Sequence, residues 1–133
     1  MAMRTIASPA VPSPPPGLFS NAKLAGNQLF VSGMHAGDGK GGVAGDGSTY
    51  AQAREALMRI RYLVEAAGGT MNDIVKLGVF TTRIADRAEI SRARREFFSG
   101  DFPCATLVEV RALVEPNLTV EIEAIATIGA GAR

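Results

Sequence analysis

The chain of 133 residues has one cysteine, Cys104, and one histidine, His35. A single cysteine excludes an internal disulfide framework and is the usage expected in a reducing cytoplasm. One cysteine and one histidine are too few for a conventional zinc site unless carboxylates join them, so neither a metal nor another cofactor is expected. A charge excess is also missing. Fourteen basic side chains stand against 13 acidic ones, a formal net charge of +1, which supplies no overall field to gather nucleic acid or an anionic membrane surface. The chain has no run of about 18 apolar residues, and its start, MAMRTIASPAVPSPPPG, lacks the continuous apolar stretch of a secretory signal. Neither secretion nor membrane spanning is expected. No GxGxxG, Walker-type loop or nucleophile elbow occurs, and the glycines between Gly37 and Gly47 have no lysine-serine continuation that would point to a nucleotide.

What is present describes a soluble globular chain: 47% apolar and 20% charged residues, too apolar for disorder. The length fits one domain with one core, so residues 1–133 are read as a single unit with residues 1–17 as a proline-rich N-terminal arm. Five of the seven prolines fall between Ser8 and Gly17, where they remove backbone donors and fix extended or turn geometry. Ala22–Ala25 and Gln28–Ser32 are short apolar runs on either side of Gly26-Asn27, a hairpin signal. The glycine-rich stretch from Met34 to Gly47 reads as a loop. From Tyr50 to Ala67, the residues Ala53, Leu57, Ile60, Val64 and Ala67 form one stripe of an amphipathic helix. Thr49 with Gln52 suggests a capping box there, and Gly68-Gly69 a left-handed stop. Ile74–Thr81 is rich in branched and aromatic residues, as strands are. Asp86 with Glu89 opens a second helix whose buried stripe is Ile90, Ala93 and Phe97 and whose end is Gly100. Two more strands follow, Ala105–Arg111 and Leu118–Ile128.

The order β-β-α-β-α-β-β predicts an α+β fold, a mixed sheet with both helices on one face. Ile74–Phe80 and Val120–Ile128 carry apolar residues on both sides, and no third helix is available for the second side. Self-association through that open face is the physical expectation.

The stretches LFVSGM, QAREALMRIRYLVEAAGGTMNDIVKLGVFTT, REFFSGDFP and, above all, FPCATLVEVRALVEPNLTVEIEAIA from Phe102 to Ala126 together resemble the Rid, or YjgF, family of reactive intermediate deaminases. The resemblance covers nearly everything after Gly17. It implies a chorismate mutase-like fold and a homotrimer with sites in the clefts between subunits. Within the signature, Pro103, Thr106, Val108, Leu113, Val120, Glu121 and Ile122 are of the family's type, but Ala105 stands where the family usually carries arginine. Phe19 replaces a tyrosine, Ser91 an asparagine, and Met34 a glutamine. In arginine-bearing members the guanidinium pairs bidentately with the carboxylate of an imino acid, which alanine cannot do. Its loss corresponds to roughly 1.5–3 kcal/mol, or one to two decades in affinity.

The resemblance makes Glu121 the residue that positions a hydrolytic water, a role a carboxylate in a cleft can fill by taking a proton from it. Glu123 lies two residues on and so projects from the same strand face, where a solvated carboxylate is the simpler expectation. Glu109 is expected to face solvent or a neighbouring subunit. Ser32, Gly33 and Thr106 would line the pocket together with Cys104 and Ala105, while Phe19 and Phe98 would add apolar wall. Cys104 reads as a small packed residue, since a nucleophilic thiolate needs a base or a helix N-terminus, and His35 reads as an exposed loop histidine. Arg83 and Arg111 are candidates for a displaced cation. Arg87, Arg92, Arg94 and Arg95 crowd the second helix, but Asp86, Glu89 and Glu96 lie among them, which describes a solvated face rather than an RNA surface.

Three functions follow, and whether the chain is an enzyme stays open among them. The first is hydrolytic deamination of an imine or enamine, a hydrolase acting on C–N bonds, with a substrate other than the simple 2-imino acids. The second is a non-enzymatic trimer that binds a small apolar metabolite. The third is RNA cleavage, because some members of the family have carried an endoribonuclease label. The expected partners are a small-molecule ligand and two further copies of the chain, with no membrane and no nucleic acid.

Overall fold

The computed structural model describes residues 2–132. Among these residues six strands form one sheet: β1 (Met3–Ile6), β2 (Ala22–Ala25), β3 (Gln28–Met34), β4 (Ile74–Thr81), β5 (Cys104–Glu109) and β6 (Val120–Thr127). Their order is β1-β2-β3-β6-β4-β5. Only β4 and β5 are parallel, joined through helix α2 (Arg87–Phe97). All other neighbours are antiparallel. The last strand is thus inserted between β3 and β4, which gives the mixed sheet that the sequence predicts. β1 is an addition to the expected order, built from the start of the segment read as an arm. It lies at the sheet edge, where Met3, Arg4 and Thr5 are exposed and only Ile6 is buried, so it carries too little alternation to be seen in the sequence.

The β2–β3 hairpin turns at Gly26-Asn27, with Ala25 opposite Gln28. Positive φ occurs at Gly26 (63°) and not at Asn27, the pattern of a II′ turn. Helix α1 (Thr49–Ala66) buries its whole predicted stripe against the sheet, with Ala53, Leu57, Ile60 and Val64 fully inaccessible. It stops at Gly68, whose φ is 90°, and the N–H of Gly69 returns to the carbonyl of Val64 at 2.9 Å. Helix α2 packs beside α1 through Ile90 and Ala93. It ends at Phe97, three residues before Gly100, which occupies the turn beyond it with φ 69°.

The capping box expected from Thr49 and Gln52 is replaced by a joint between the two helix starts. The N-cap of α1 is Ser48, whose hydroxyl accepts from the N–H of Ala51, so Thr49 is already helical. The Thr49 hydroxyl donates to Asp86 Oδ2 at 2.7 Å and shares a second bond with the Thr119 hydroxyl. Glu89 Oε1 accepts from the Tyr50 N–H. Two carboxylates therefore meet the positive end of α1, and the bond from Thr49 with the Arg83 guanidinium holds the Asp86 carboxyl below its ordinary pKa of 3.8. A depressed carboxyl stabilises the fold above its unfolded value, and that contribution is lost as pH falls through the folded value. Asp86→Asn should lower stability by about 1 kcal/mol at neutral pH, roughly 3–4 °C in Tm. Thermal melts should show the gap between variant and native protein closing below about pH 3.8; a gap that stays constant with pH would refute the coupling.

The sheet face away from the helices carries Phe30, 49% exposed, and Val108, 40% exposed, with Phe80 and Ile125 partly covered. Among the described residues no helix is long and apolar enough to cross a membrane.

Candidate functional site

Glu121 and Glu123 project from β6 on the open face, alternating with the buried Val120, Ile122 and Ala124. Each carboxylate lies over a glycine. A Cβ placed on Gly33 would lie 2.8 Å from Glu121 Cδ, and one on Gly78 would lie 2.8 Å from Glu123 Oε2. Only a residue without a side chain leaves room for a carboxylate to rest against the backbone of the adjacent strand. Gly33 belongs to an irregularity in β3: pairing with β6 shifts between Val31 and Met34, which fits a bulge at Ser32-Gly33.

Ser32 holds the segment before β2. Its hydroxyl donates to the Ser20 carbonyl at 2.6 Å and its N–H to the Asn21 carbonyl at 2.9 Å. The Asn21 amide in turn donates to the Pro12 carbonyl. Phe19, next to this tether, is 53% exposed. Phe98 is turned inward at 6% exposure, and the accessible aromatic surface at that end is Phe102, 43% exposed, with its ring centroid 6.3 Å from that of Phe98.

The glycine-rich loop is anchored by Arg59, a residue of α1 that the sequence pattern does not single out. Only 9% exposed, it donates to the carbonyls of His35 and Gly37 and pairs with Glu55 at 3.0 Å. His35 is consequently half-buried and not the exposed loop histidine expected from the sequence. Its Nδ1 accepts from the Gly37 N–H at 3.0 Å, which puts the proton of the neutral ring on Nε2. Burial is the largest influence and lowers its pKa below 6.5; Glu121 opposes that shift and Arg59 adds to it. His35 is therefore a neutral imidazole near Glu121 at physiological pH. No local sequence signal marks it, because its burial depends on an arginine 24 positions away.

Cys104, Ala105 and Thr106 are all exposed on the edge strand β5. The register pairs Thr106 with Gly78 and Gly78 with Glu123, whereas Ala105 pairs with the buried Leu77. Cross-strand partners share a face, so Thr106 and Cys104 lie on the face of the two glutamates and Ala105 on the opposite one. Within one protomer, Ala105 and Glu121 are not brought together. Cys104 is a free, exposed thiol rather than a packed one, and no hydrogen bond joins it to His35. Glu109 accepts from the N–H of Ile84 at 3.0 Å and so holds the turn before α2.

Of the two expected replacement cations, Arg83 pairs with Asp86 at 2.8 Å and Arg111 lies exposed beyond β5. The arginines of α2 are not four free cations: Arg92 lies 3.9 Å over the Tyr50 ring, and Arg94 has its Nε buried. Among the described residues no three His, Cys, Asp or Glu side chains are grouped so that they could hold a metal ion.

A family model described as endoribonuclease L-PSP matches residues 11–128. A RutC family protein of Pyrococcus horikoshii is 37% identical over 112 residues, 84% of this chain and 88% of that protein. A 2-iminobutanoate/2-iminopropanoate deaminase of Dermatophagoides farinae is 33% identical over 125 residues, 94% of this chain and 96% of that one. Among solved structures, a protein of unknown function from Pseudomonas aeruginosa superposes with a TM-score of 0.88 at 44% identity, covering 98% of this chain and 95% of the other.

Proposed function

This chain belongs to the Rid/YjgF family, which the endoribonuclease L-PSP model describes, and on that footing we propose that it hydrolyses an imine or enamine in a cleft bordered by Glu121. The observation that carries the reading is the Glu121 carboxylate resting on Gly33 with the neutral His35 nearby. Glu121 takes a proton from water as the water oxygen bonds to the C=N carbon and returns it to nitrogen, giving a carbinolamine. The carbinolamine hydroxyl then gives its proton to Glu121, which passes it to the departing nitrogen as the C–N bond breaks, leaving a carbonyl compound and ammonia. Both transfers are the work of one positioned acid–base group. A deaminase relative aligned over nearly the full length supports the reaction class.

The cleft is completed by a second copy. Within one protomer Thr106 and Cys104 share the open face with Glu121, whereas Ala105 on the edge strand faces the other way and enters a cleft only where that edge meets a neighbouring copy; exposed Phe30 and Val108 on the open face favour burial against another subunit. A homotrimer is the assembly proposed, with Phe19 and Phe102 as apolar wall and Ser32, Gly33 and Thr106 lining the pocket. With Ala105 in place of arginine, the substrate is one that does not depend on a bidentate guanidinium clamp.

The test is ammonia release from freshly generated 2-aminoacrylate-derived imine and from less polar imines, in the native protein and in Ala105→Arg, with the particle mass determined by light scattering. Weak native activity on the 2-imino acid, raised about tenfold or more by the arginine, and a better rate on an uncharged imine are expected. No hydrolysis of any imine by either protein would reject the enzyme reading. It would favour the alternative, a trimer that only binds a small apolar ligand, for which the missing cation beside Ala105 is the specific support.

A further inference from the structure

The chain has three lysines, Lys23, Lys40 and Lys76, and two of them border one cavity of about 320 Å³ on the open sheet face. Strand register explains why two residues so far apart in sequence meet there. Thr5 pairs with Lys23, Lys23 with Phe30, Phe30 with Ile125, Ile125 with Lys76 and Lys76 with Cys104. One row therefore crosses all six strands and places an apolar pair, Phe30 and Ile125, between two ammonium groups. Lys23 and Lys76 are three strand spacings apart, about 14 Å at the backbone.

The adjoining row makes the depression. It contains Ser32, Glu123 and Gly78, two of which have little or no side chain. The two lysines differ. Lys23 Nζ donates to the Thr5 hydroxyl at 3.0 Å, whereas Lys76 makes no hydrogen bond or ion pair among the described residues. Glu123, diagonal to Lys76, lies against Gly78 instead of pairing with it. Two ammonium groups and one carboxylate leave the cavity one positive charge in excess, which one monoanion neutralises.

We propose that this cavity binds a short-chain monocarboxylate, with its carboxylate on Lys76 and its hydrocarbon tail on Phe30 and Ile125. Lys23 closes the far end and sets the length of tail accepted. The site shares the wall residue Ser32 with the Glu121 pocket but uses the neighbouring carboxylate and no residue assigned to water activation, so either can fail without the other. Assembly through this face would place the cavity along a subunit boundary, where exclusion of water strengthens an ion pair.

The experiment is acetylation footprinting of the native protein with butanoate as probe and butanamide as the uncharged control. Lys40, exposed in the glycine-rich loop, is the internal reference. Butanoate should slow modification of Lys76 by about threefold or more relative to Lys40, and butanamide should not. Calorimetry should show butanoate affinity falling about three- to tenfold in Lys76→Met and largely retained in Lys76→Arg, the range of a partly exposed charged contact. Glu121→Gln should bind butanoate as the native protein does. No slowing of Lys76 by butanoate relative to Lys40, equal protection by butanamide, or unchanged binding in Lys76→Met would each overturn the proposal. If Lys76→Met fails to assemble, the footprint on native protein decides.

Discussion

Glu121→Gln is expected to lower the turnover of an accepted imine by at least about a hundredfold while ligand affinity changes by less than about threefold, the signature of losing a general base without losing a contact. Glutamine keeps the length of the side chain and so its seat against Gly33, which separates the loss of the base from a loss of packing. The single histidine provides a second readout that needs no substrate. Glu121 acts to raise the His35 pKa against the larger effect of burial. Removing its charge should move the His35 titration further down, as followed by the imidazole proton resonances in NMR. A shifted histidine with unchanged turnover would confirm the geometry and remove Glu121 from the chemistry. An unshifted histidine would remove the proximity itself.

Gln52→Leu should produce a large loss of stability although it keeps the size of the side chain. Gln52 is fully buried; its amide donates to the carbonyls of Gly47 and Asn117 at 3.0 and 3.1 Å, and its oxygen accepts from the Thr119 N–H at 2.9 Å. Leucine has a similar size and leaves three backbone groups without partners. Each such group costs about 1–3 kcal/mol when buried, so a loss of about 3 kcal/mol or more is expected, near 10 °C in Tm for a domain of this length. Thr119 lies two residues before Glu121, so a melted connection there should also lower activity at temperatures where the protein is still folded. A loss below about 1 kcal/mol by denaturant titration would mean that water replaces the amide and that the network is not structural.

The two residues show what the periodicity of a helix does and does not tell. The stripe Ala53, Leu57, Ile60 and Val64 announces itself by spacing, and the structure buries every member of it. Gln52 and Arg59 lie on the same buried side, yet Gln52 reads as a local cap partner and Arg59 carries no signal until the loops they hold are in place. The capping box expected at Thr49 differs in the structure for the same reason. Thr49, Asp86 and Glu89 have the right residue types for local caps, but each finds its partner on the other helix, 37 or 39 positions away. In the candidate site, the common face of Glu121 and Glu123 was legible from a spacing of two. The inward turn of Phe98, the burial of His35 and the opposite facing of Ala105 were not, because they depend on register and on side chains from other elements.

By itself, then, the amino-acid sequence determined the family, the helices and most strands, and the loss of the arginine at position 105, since these reside in local pattern and in residue identity. The edge strand β1, the insertion of β6 between β3 and β4, the glycine seats of the two glutamates and the row that joins Lys23 to Lys76 were decided only by tertiary structure. Strand order and register are set by which hydrophobic faces close on one core, and that choice is made by the whole chain at once.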